Sequence, residues 1–555
     1  MPHLITTNFP ATFPVQSAPS VAPIERRDTL HRAVPADRPL RPDWKLHLYA
    51  GLPISVVLLA FVWMVTYGTW QLTVPESFGQ FFDVQAESFL AGRWDVPPRG
   101  IAVEAYIHGG KFYGYFGFIP ALARIGLNAA VPSMWGCWSR ISLTLGCCVS
   151  LIYAYQLLLQ MRLAVGLGPT VTAGSKWVYG GFLLAAGLGT TLIFLASRAY
   201  VYHEAIIWGS ALALACYCHL MRYLRTPTAT GLTITCALCF CSFFSRASVG
   251  IGTVAALLTL SVSLAAARGL GNDTGNSRWW SVPLRWLGRF GRAPVASKWH
   301  SLTAGGPVLA VVAIYVAVNQ VKFGTWLDGM PLKLYGQVVF EPGQERMQRT
   351  RGQAVSWANF RTDVDAYFSL RNIQFTRLFP FVASKRDAYF YPESRYDIVE
   401  PHSSIPVSMP ALSLLTVIGL YCAVVKPKQR RAVIGGQDTP VVSPIIVMIG
   451  AIAGAVPALF SAGISERYLH DFFPLLVAGG ALGVNRVLAW QRPLLRQGML
   501  AAVGGLVLYS VWVNASFALI YQRTIVWGVP ADKQMEFLQW QDQVGHWINP
   551  DTRGG

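Results

Sequence analysis

The chain has 555 residues, 53% hydrophobic, 13% aromatic and only 13% charged, with a formal net charge of +18. A charged fraction about half of the roughly 25% usual in soluble domains excludes an ordinary water-soluble globule, and repeated apolar runs reach the roughly 20 residues that span a bilayer. The positive balance collects in short segments between those runs, which suits the cytoplasmic loops of a membrane protein rather than a nucleic-acid partner.

Residues 1–44 are rich in Pro, Ala, Ser and Arg with little apolar periodicity, the composition of a disordered tail. No apolar core leads into a small-residue cleavage site there, so the tail is not read as a signal peptide. Apolar runs then predict eleven spanning helices over 46–70, 138–161, 177–196, 201–221, 230–244, 249–267, 302–321, 407–425, 441–462, 472–488 and 500–520. A broken apolar segment over 115–131, interrupted by Pro120 and Gly126, predicts a short interfacial helix. An amphipathic helix is expected near 533–548.

Basic residues set the orientation. Arg26, Arg27, Arg32, Arg38, Arg41 and Lys45 precede the first span, five Arg and one Lys with the single acid Asp273 lie between 268 and 299, and KPKQRR follows the eighth span. The positive-inside rule then places the N-terminus in the cytoplasm. Loops 71–137 and 322–406 and the tail 521–555 fall outside, on a plasma or inner membrane. The expected fold is an all-α polytopic membrane protein with one membrane domain over 45–520.

The nine cysteines lie in apolar segments, and the Cys236-x-x-Cys239 pair sits inside a predicted helix without a second pair or a His, so buried free thiols are expected rather than a metal or redox centre. The ionisable residues that stand out gather instead at one set of helix ends: Asp83, Arg198, His203, Glu204, Arg246, Glu466, Arg467, His470 and Asp471. Ionisable groups at membrane helices are costly and mark function. The loop 78–120 adds Glu87, Asp95, Glu104, His108 and Lys111 among many aromatic residues, a composition suited to the lipid–water boundary.

An Asp soon after the first span, a short helix ending in Gly92-Arg93-Trp94-Asp95-Val96-Pro97, then Gly110-Lys111-Phe112-Tyr113 and an aromatic run into Pro120-Ala121-Leu122 resemble the first external loop of GT-C membrane glycosyltransferases. Asn319-x-x-x-Phe323-Gly324 and Arg467-Tyr468 leading to Pro474 resemble later motifs of that family. The relatives implied include bacterial dolichyl-phosphate-mannose-protein mannosyltransferase-like, aminoarabinose transferase-like and arabinofuranosyltransferase-like enzymes. The resemblance implies a GT-C-like bundle with interfacial helices in the first loop and the long late loop. It implies transfer of a sugar from a polyprenyl-phosphate donor to a glycan, lipid or protein acceptor at the outer face.

By that resemblance Asp83 is the general base and Glu204 a second acidic residue that orients the acceptor or binds a metal. Lys111, Arg246 and Arg467 are contacts for the lipid phosphate, and His203 and Glu104 lie with them as substrate contacts. Such a reaction needs a carboxylate to take a hydroxyl proton and cations to stabilise the departing phosphate; Arg donates two bonds at once. No cofactor is implied beyond a possible divalent cation, and Val84 stands where the family often has a second acid beside its Asp. A lipid-linked glycan polymerase or ligase, and a lipid flippase or transporter, are the alternative readings.

Overall fold

In hydrocarbon every backbone N–H must find its acceptor within its own segment, which leaves helices as the open form of an apolar run. The computed structural model describes residues 44–548 except 77, 102–103, 169–170, 270–297, 338–342, 386–387, 426–430, 435–436, 441 and 526–528. Residues 1–43 of the tail expected over 1–44, and most of the two basic loops at 268–299 and 426–431, lie outside the described residues.

Helices α1 (Trp44–Val65), α2 (Phe81–Leu90), α3 (Ile119–Ala130), α4 (Ser139–Ala164), α5 (Ala173–Gly187), α6 (Val201–Arg225), α7 (Ala229–Phe243), α8 (Ala247–Gly269) and α9 (Lys298–Phe323) come first. A long segment follows, carrying α10 (Phe360–Phe368), and then α11 (Pro410–Val425), α12 (Ile445–Ala455), α13 (Phe473–Leu488), α14 (Pro493–Ile520) and α15 (Ala531–Ile548). Each of the eleven predicted spans coincides with a helix, and the interfacial helix near 115–131 and the C-terminal helix near 533–548 appear as α3 and α15. Seven described helices are long and apolar enough to cross a membrane.

Of the other four, α5, α11 and α12 are shorter than their apolar runs, and α7 has 15 residues. The run over 177–196 is broken, because α5 stops at Gly187 and a separate turn, Thr191–Leu195, follows. A 15-residue helix rises only about 22 Å, less than the roughly 30 Å of hydrocarbon. Thr190 caps the second piece through its side chain, accepting from the Leu192 N–H. At α12, Pro457 stands at the start of a 3₁₀ turn over Val456–Phe460 that replaces the α-helix.

Small residues set how closely the helices approach. A Cβ at Gly483 would lie 1.9 Å from the Leu415 carbonyl oxygen, and one at Gly419 2.2 Å from that of Gly479, so α11 and α13 meet backbone to backbone. The same occurs between α8 and α12, where a Cβ on Gly252 would lie 2.5 Å from the Gly450 oxygen. Helices in lipid associate through such packing rather than through a hydrophobic drive.

Short β pairs lie in the segment after α1, in the long segment after α9 and, as Arg431–Ile434 with Gln437–Pro440, between α11 and α12. Strands β1 (Tyr106–His108) and β2 (Lys111–Tyr113) pair antiparallel across Gly109-Gly110, both glycines with positive φ, the backbone a two-residue hairpin requires. Ile398–Val399 pairs parallel with Gly463–Ile464, tying the long segment to the turn before α13. Glu466 accepts from the Ser403 N–H at 2.5 Å and from its hydroxyl at 2.9 Å, a second tie between the same pieces.

Gly483→Val therefore forces α11 off α13. We expect a loss of about 2 kcal/mol or more, read as a lower melting temperature of the purified protein, while Gly505→Ala on α14, where a Cβ meets nothing within 4 Å, leaves it unchanged.

Candidate functional site

Asp83 lies in the first turn of α2, whose N-cap is Gln80, so it caps no helix. It is fully buried. Asn128 donates to Asp83 Oδ1 at 2.9 Å, and Arg124 Nε stands 3.6 Å from Oδ2. The same guanidinium donates to Glu204 Oε1 at 2.5 Å, which also accepts from the Ser142 hydroxyl at 2.6 Å. Glu204 thus pairs with Arg124, not with Arg198, its neighbour in sequence. One arginine from α3 holds two carboxylates, one from α2 and one from α6. Burial pushes the Asp83 carboxyl above its ordinary range, against the pull of Arg124.

Above the first turn of α6 opens a cavity of about 420 Å³. Seven tyrosines line it: Tyr106, Tyr115, Tyr200, Tyr202, Tyr335, Tyr468 and Tyr521. Its charged lining is Glu104, Arg346, Asp397, Glu400 and Arg467. Glu104 accepts from the Tyr335 hydroxyl at 2.6 Å and from Gln337 Nε2 at 2.7 Å. Arg346 makes a two-pronged pair with Asp397, 2.5 Å at each prong, and also donates to Gln337. Arg467 pairs with Glu400 at 3.1 Å and lies over the rings of Tyr202 and Tyr468, 5.1 and 5.4 Å from their centroids. Burial, helped by the Glu104 charge, drives the Tyr106, Tyr115 and Tyr335 hydroxyls far above the phenol range. They are therefore neutral donors.

Of the residues expected from sequence, Glu104 and Arg467 line this cavity. Arg467 pairs with Glu400 rather than with Glu466 or Asp471. Arg246 stands nearby, paired with Asp471 at 3.3 Å and 5.8 Å from the Tyr468 ring centroid. Asp83 and Glu204 lie behind the wall in the Arg124 network. His203 is buried, its Nδ1 within 3.0 Å of the Leu195 carbonyl oxygen and 2.8 Å of that of Arg198. Lys111 is exposed on the hairpin, 3.9 Å from Asp95. Among the described residues no group of three or more His, Cys, Asp or Glu is placed to hold a metal ion. Sequence reading missed Arg346, Asp397 and Glu400 and most of the tyrosine wall. The alternation Tyr200-x-Tyr202 beside Glu204 was a usable signal.

No protein-family model matches the chain, and no curated protein sequence does. Among solved structures, the archaeal oligosaccharyltransferase AglB from Archaeoglobus fulgidus, in complex with an inhibitory peptide and a dolichol-phosphate, is similar over 89% of this chain at 12% identity and a TM-score of 0.45. The apo form of the Archaeoglobus fulgidus enzyme gives 89%, 12% and 0.44. This chain spans 60% of the length of those chains. A likeness at this level carries no weight in assigning chemistry.

Asp363, on α10, supports the cavity from behind. It is buried and accepts from the Tyr396 hydroxyl at 2.7 Å, and Tyr396 adjoins Asp397. Burial pushes its carboxyl up to about 8, against the hydrogen bonds from Tyr396 and Ser461. A folded pKa above the unfolded value adds stability that is full below about pH 4 and is lost as pH rises through about 8. Melting temperature should therefore fall between pH 5 and 9 in the wild type, and Asp363→Asn should flatten that fall.

Proposed function

We propose that this chain is a membrane glycosyltransferase whose reaction centre is the tyrosine-walled cavity. It moves a sugar from a polyprenyl-phosphate donor to a hydroxyl or amide of a glycan, lipid or protein acceptor. The observation that carries the reading is the meeting, in one cavity at the end of a membrane bundle, of three carboxylates, two arginines and seven tyrosines. Tyrosine rings offer apolar faces and hydroxyl rims, which suits a sugar with C–H faces and hydroxyl edges. In this reading the cavity faces outward, residues 1–44 are cytoplasmic and the tail 521–555 is external.

Glu104 is the carboxylate on the cavity wall that can accept the acceptor's proton as the new glycosidic bond forms. Tyr335 and Gln337 hold it in place. The bond from the anomeric carbon to the phosphate oxygen breaks on the opposite face in a single inverting displacement. Arg467, with Arg246 close by, receives the growing negative charge of the lipid phosphate. To do so Arg467 exchanges Glu400 for phosphate. Asp83, the base implied by the family resemblance, is sequestered by Arg124 and Asn128 and acts in this geometry by holding α2 and α3 against α6.

The test uses purified wild type, Glu104→Gln, Arg467→Ala and Asp83→Asn in nanodiscs with a panel of radiolabelled polyprenyl-phosphate sugars, following release of lipid phosphate. Glu104→Gln should lower kcat by about 10² to 10⁴, and Arg467→Ala by about 10² or more. If Asp83→Asn, still folded and still binding donor, loses release while Glu104→Gln keeps it, Asp83 is the base. Absence of release from every donor, with lipid movement across liposomes holding the protein, replaces the transferase by a flippase.

A further inference from the structure

At the end of the bundle away from the cavity, two arginines are held in a different way. Helices α4 and α6 run side by side in the same direction: Ser142, early in α4, meets Glu204 in the first turn of α6, and Gln156 and Gln160 meet the last turn of α6. There Arg222 Nη2 donates to Gln156 Oε1 at 2.6 Å, and Arg225 Nη1 donates to Gln160 Oε1 at 2.7 Å. These are two parallel rungs about one helical turn apart. Both arginines are only partly exposed, so each side chain folds against α4. The Cys218 thiol donates to the same Gln156 oxygen at 3.8 Å.

A guanidinium has five N–H donors. Among the described residues each of these two makes one side-chain hydrogen bond, to a neutral amide. At the cavity end, by contrast, Arg124, Arg140, Arg246, Arg346 and Arg467 each hold a carboxylate. The remaining nitrogens of Arg222 and Arg225 are not among the buried polar atoms that lack partners, so those donors are open to the surroundings. The apolar run over 201–221 ends one residue before Arg222. A helix of that length rises about 32 Å, close to the roughly 30 Å of hydrocarbon, which puts both guanidiniums where lipid headgroups begin. The dipole at the end of α6 favours cations there, but it does not account for two guanidiniums turned onto amides with no acid beside them.

We propose that this niche at the ends of α4 and α6 binds the phosphate group of an anionic phospholipid headgroup. Two planar forks a turn apart can each donate two bonds to phosphate oxygens, and basic pockets between helix ends take such headgroups. The Gln156 and Gln160 amides add neutral donors beside them. A zwitterionic headgroup fits poorly, because its ammonium would meet two guanidiniums with no carboxylate to receive it. The niche is separate from the reaction centre, and the inference does not depend on the transferase reading.

Native mass spectrometry of the full chain, with phosphatidylglycerol, phosphatidylcholine and inorganic phosphate as separate probes, tests it. Wild type should retain phosphatidylglycerol over phosphatidylcholine by about fivefold or more. The double variant Arg222→Gln/Arg225→Gln should weaken phosphatidylglycerol binding roughly thirtyfold, and each single change about fivefold. Arg222→Lys/Arg225→Lys, which keeps the charge and loses the forks, should fall between wild type and the Gln pair. Arg492→Gln, at an exposed arginine capping α14, should leave binding unchanged. Phosphatidylglycerol should also raise the melting temperature of wild type and not that of the Gln pair. Unchanged binding in a folded Gln pair, or in the Lys pair if the Gln pair does not fold, overturns the site. An equal loss in Arg492→Gln also overturns it, replacing the niche by a diffuse charged surface. Equal retention of phosphatidylcholine overturns the anionic headgroup, and displacement by inorganic phosphate at equal concentration overturns the lipid as the source of the phosphate.

Discussion

Arg124 is the constraint on which the rest of this end of the molecule depends. It is 2% exposed and sits between Asp83 and Glu204, both fully buried. Taking three charges out of water is expensive, and it is tolerated only when each charge has its partners in place. The arginine comes from α3, the acids from α2 and α6, so three elements are locked by one guanidinium. Removing the arginine would leave two facing carboxylates without a counter-charge, whereas removing one acid leaves the other still paired. The network also explains why α2 and α3, short helices that cross no membrane, hold a defined position on α6.

The first turn of α6 joins that network to the cavity. Glu204 points back into the bundle while Tyr202, two residues earlier, faces the cavity beneath the Arg467 guanidinium. The remaining walls come from segments far apart in the chain: the β1–β2 hairpin, the long segment after α9, the turn before α13 and the end of α14. They are held by the Glu466–Ser403 bonds and by the parallel pairing of Ile398–Val399 with Gly463–Ile464. In the proposed reaction, arginines that already carry carboxylate partners would take an incoming phosphate by exchange, so that the net gain would be the difference between two ion pairs, which favours specificity over raw affinity.

Much of the architecture was legible in the amino-acid order. The apolar runs marked every spanning helix, because in lipid a run of that length has no other satisfied backbone form. Pro120 marked the start of α3, as proline does at a first helical turn. The crowding of ionisable residues at one set of helix ends marked where the tyrosine-walled cavity opens, with Arg467 in its lining. The lengths of α5 and α12 were not legible, because Gly187 and Pro457 end them through contacts and turns that apolar content does not report.

By itself, then, the sequence determined the class of protein, the helix order and the helix ends at which ionisable residues gather, since each follows from local hydrophobicity and charge. Tertiary structure alone decided the partners. Glu204 takes Arg124, 80 positions earlier, rather than Arg198, six positions earlier, and Arg467 takes Glu400 rather than its neighbours. It also decided that Asp83 is closed off while Glu104 lines the cavity. The physical reason is that burial and pairing depend on which helices meet, and helices meet where small residues such as Gly483 and Gly419 let backbones approach, a property of two surfaces rather than of one stretch of chain.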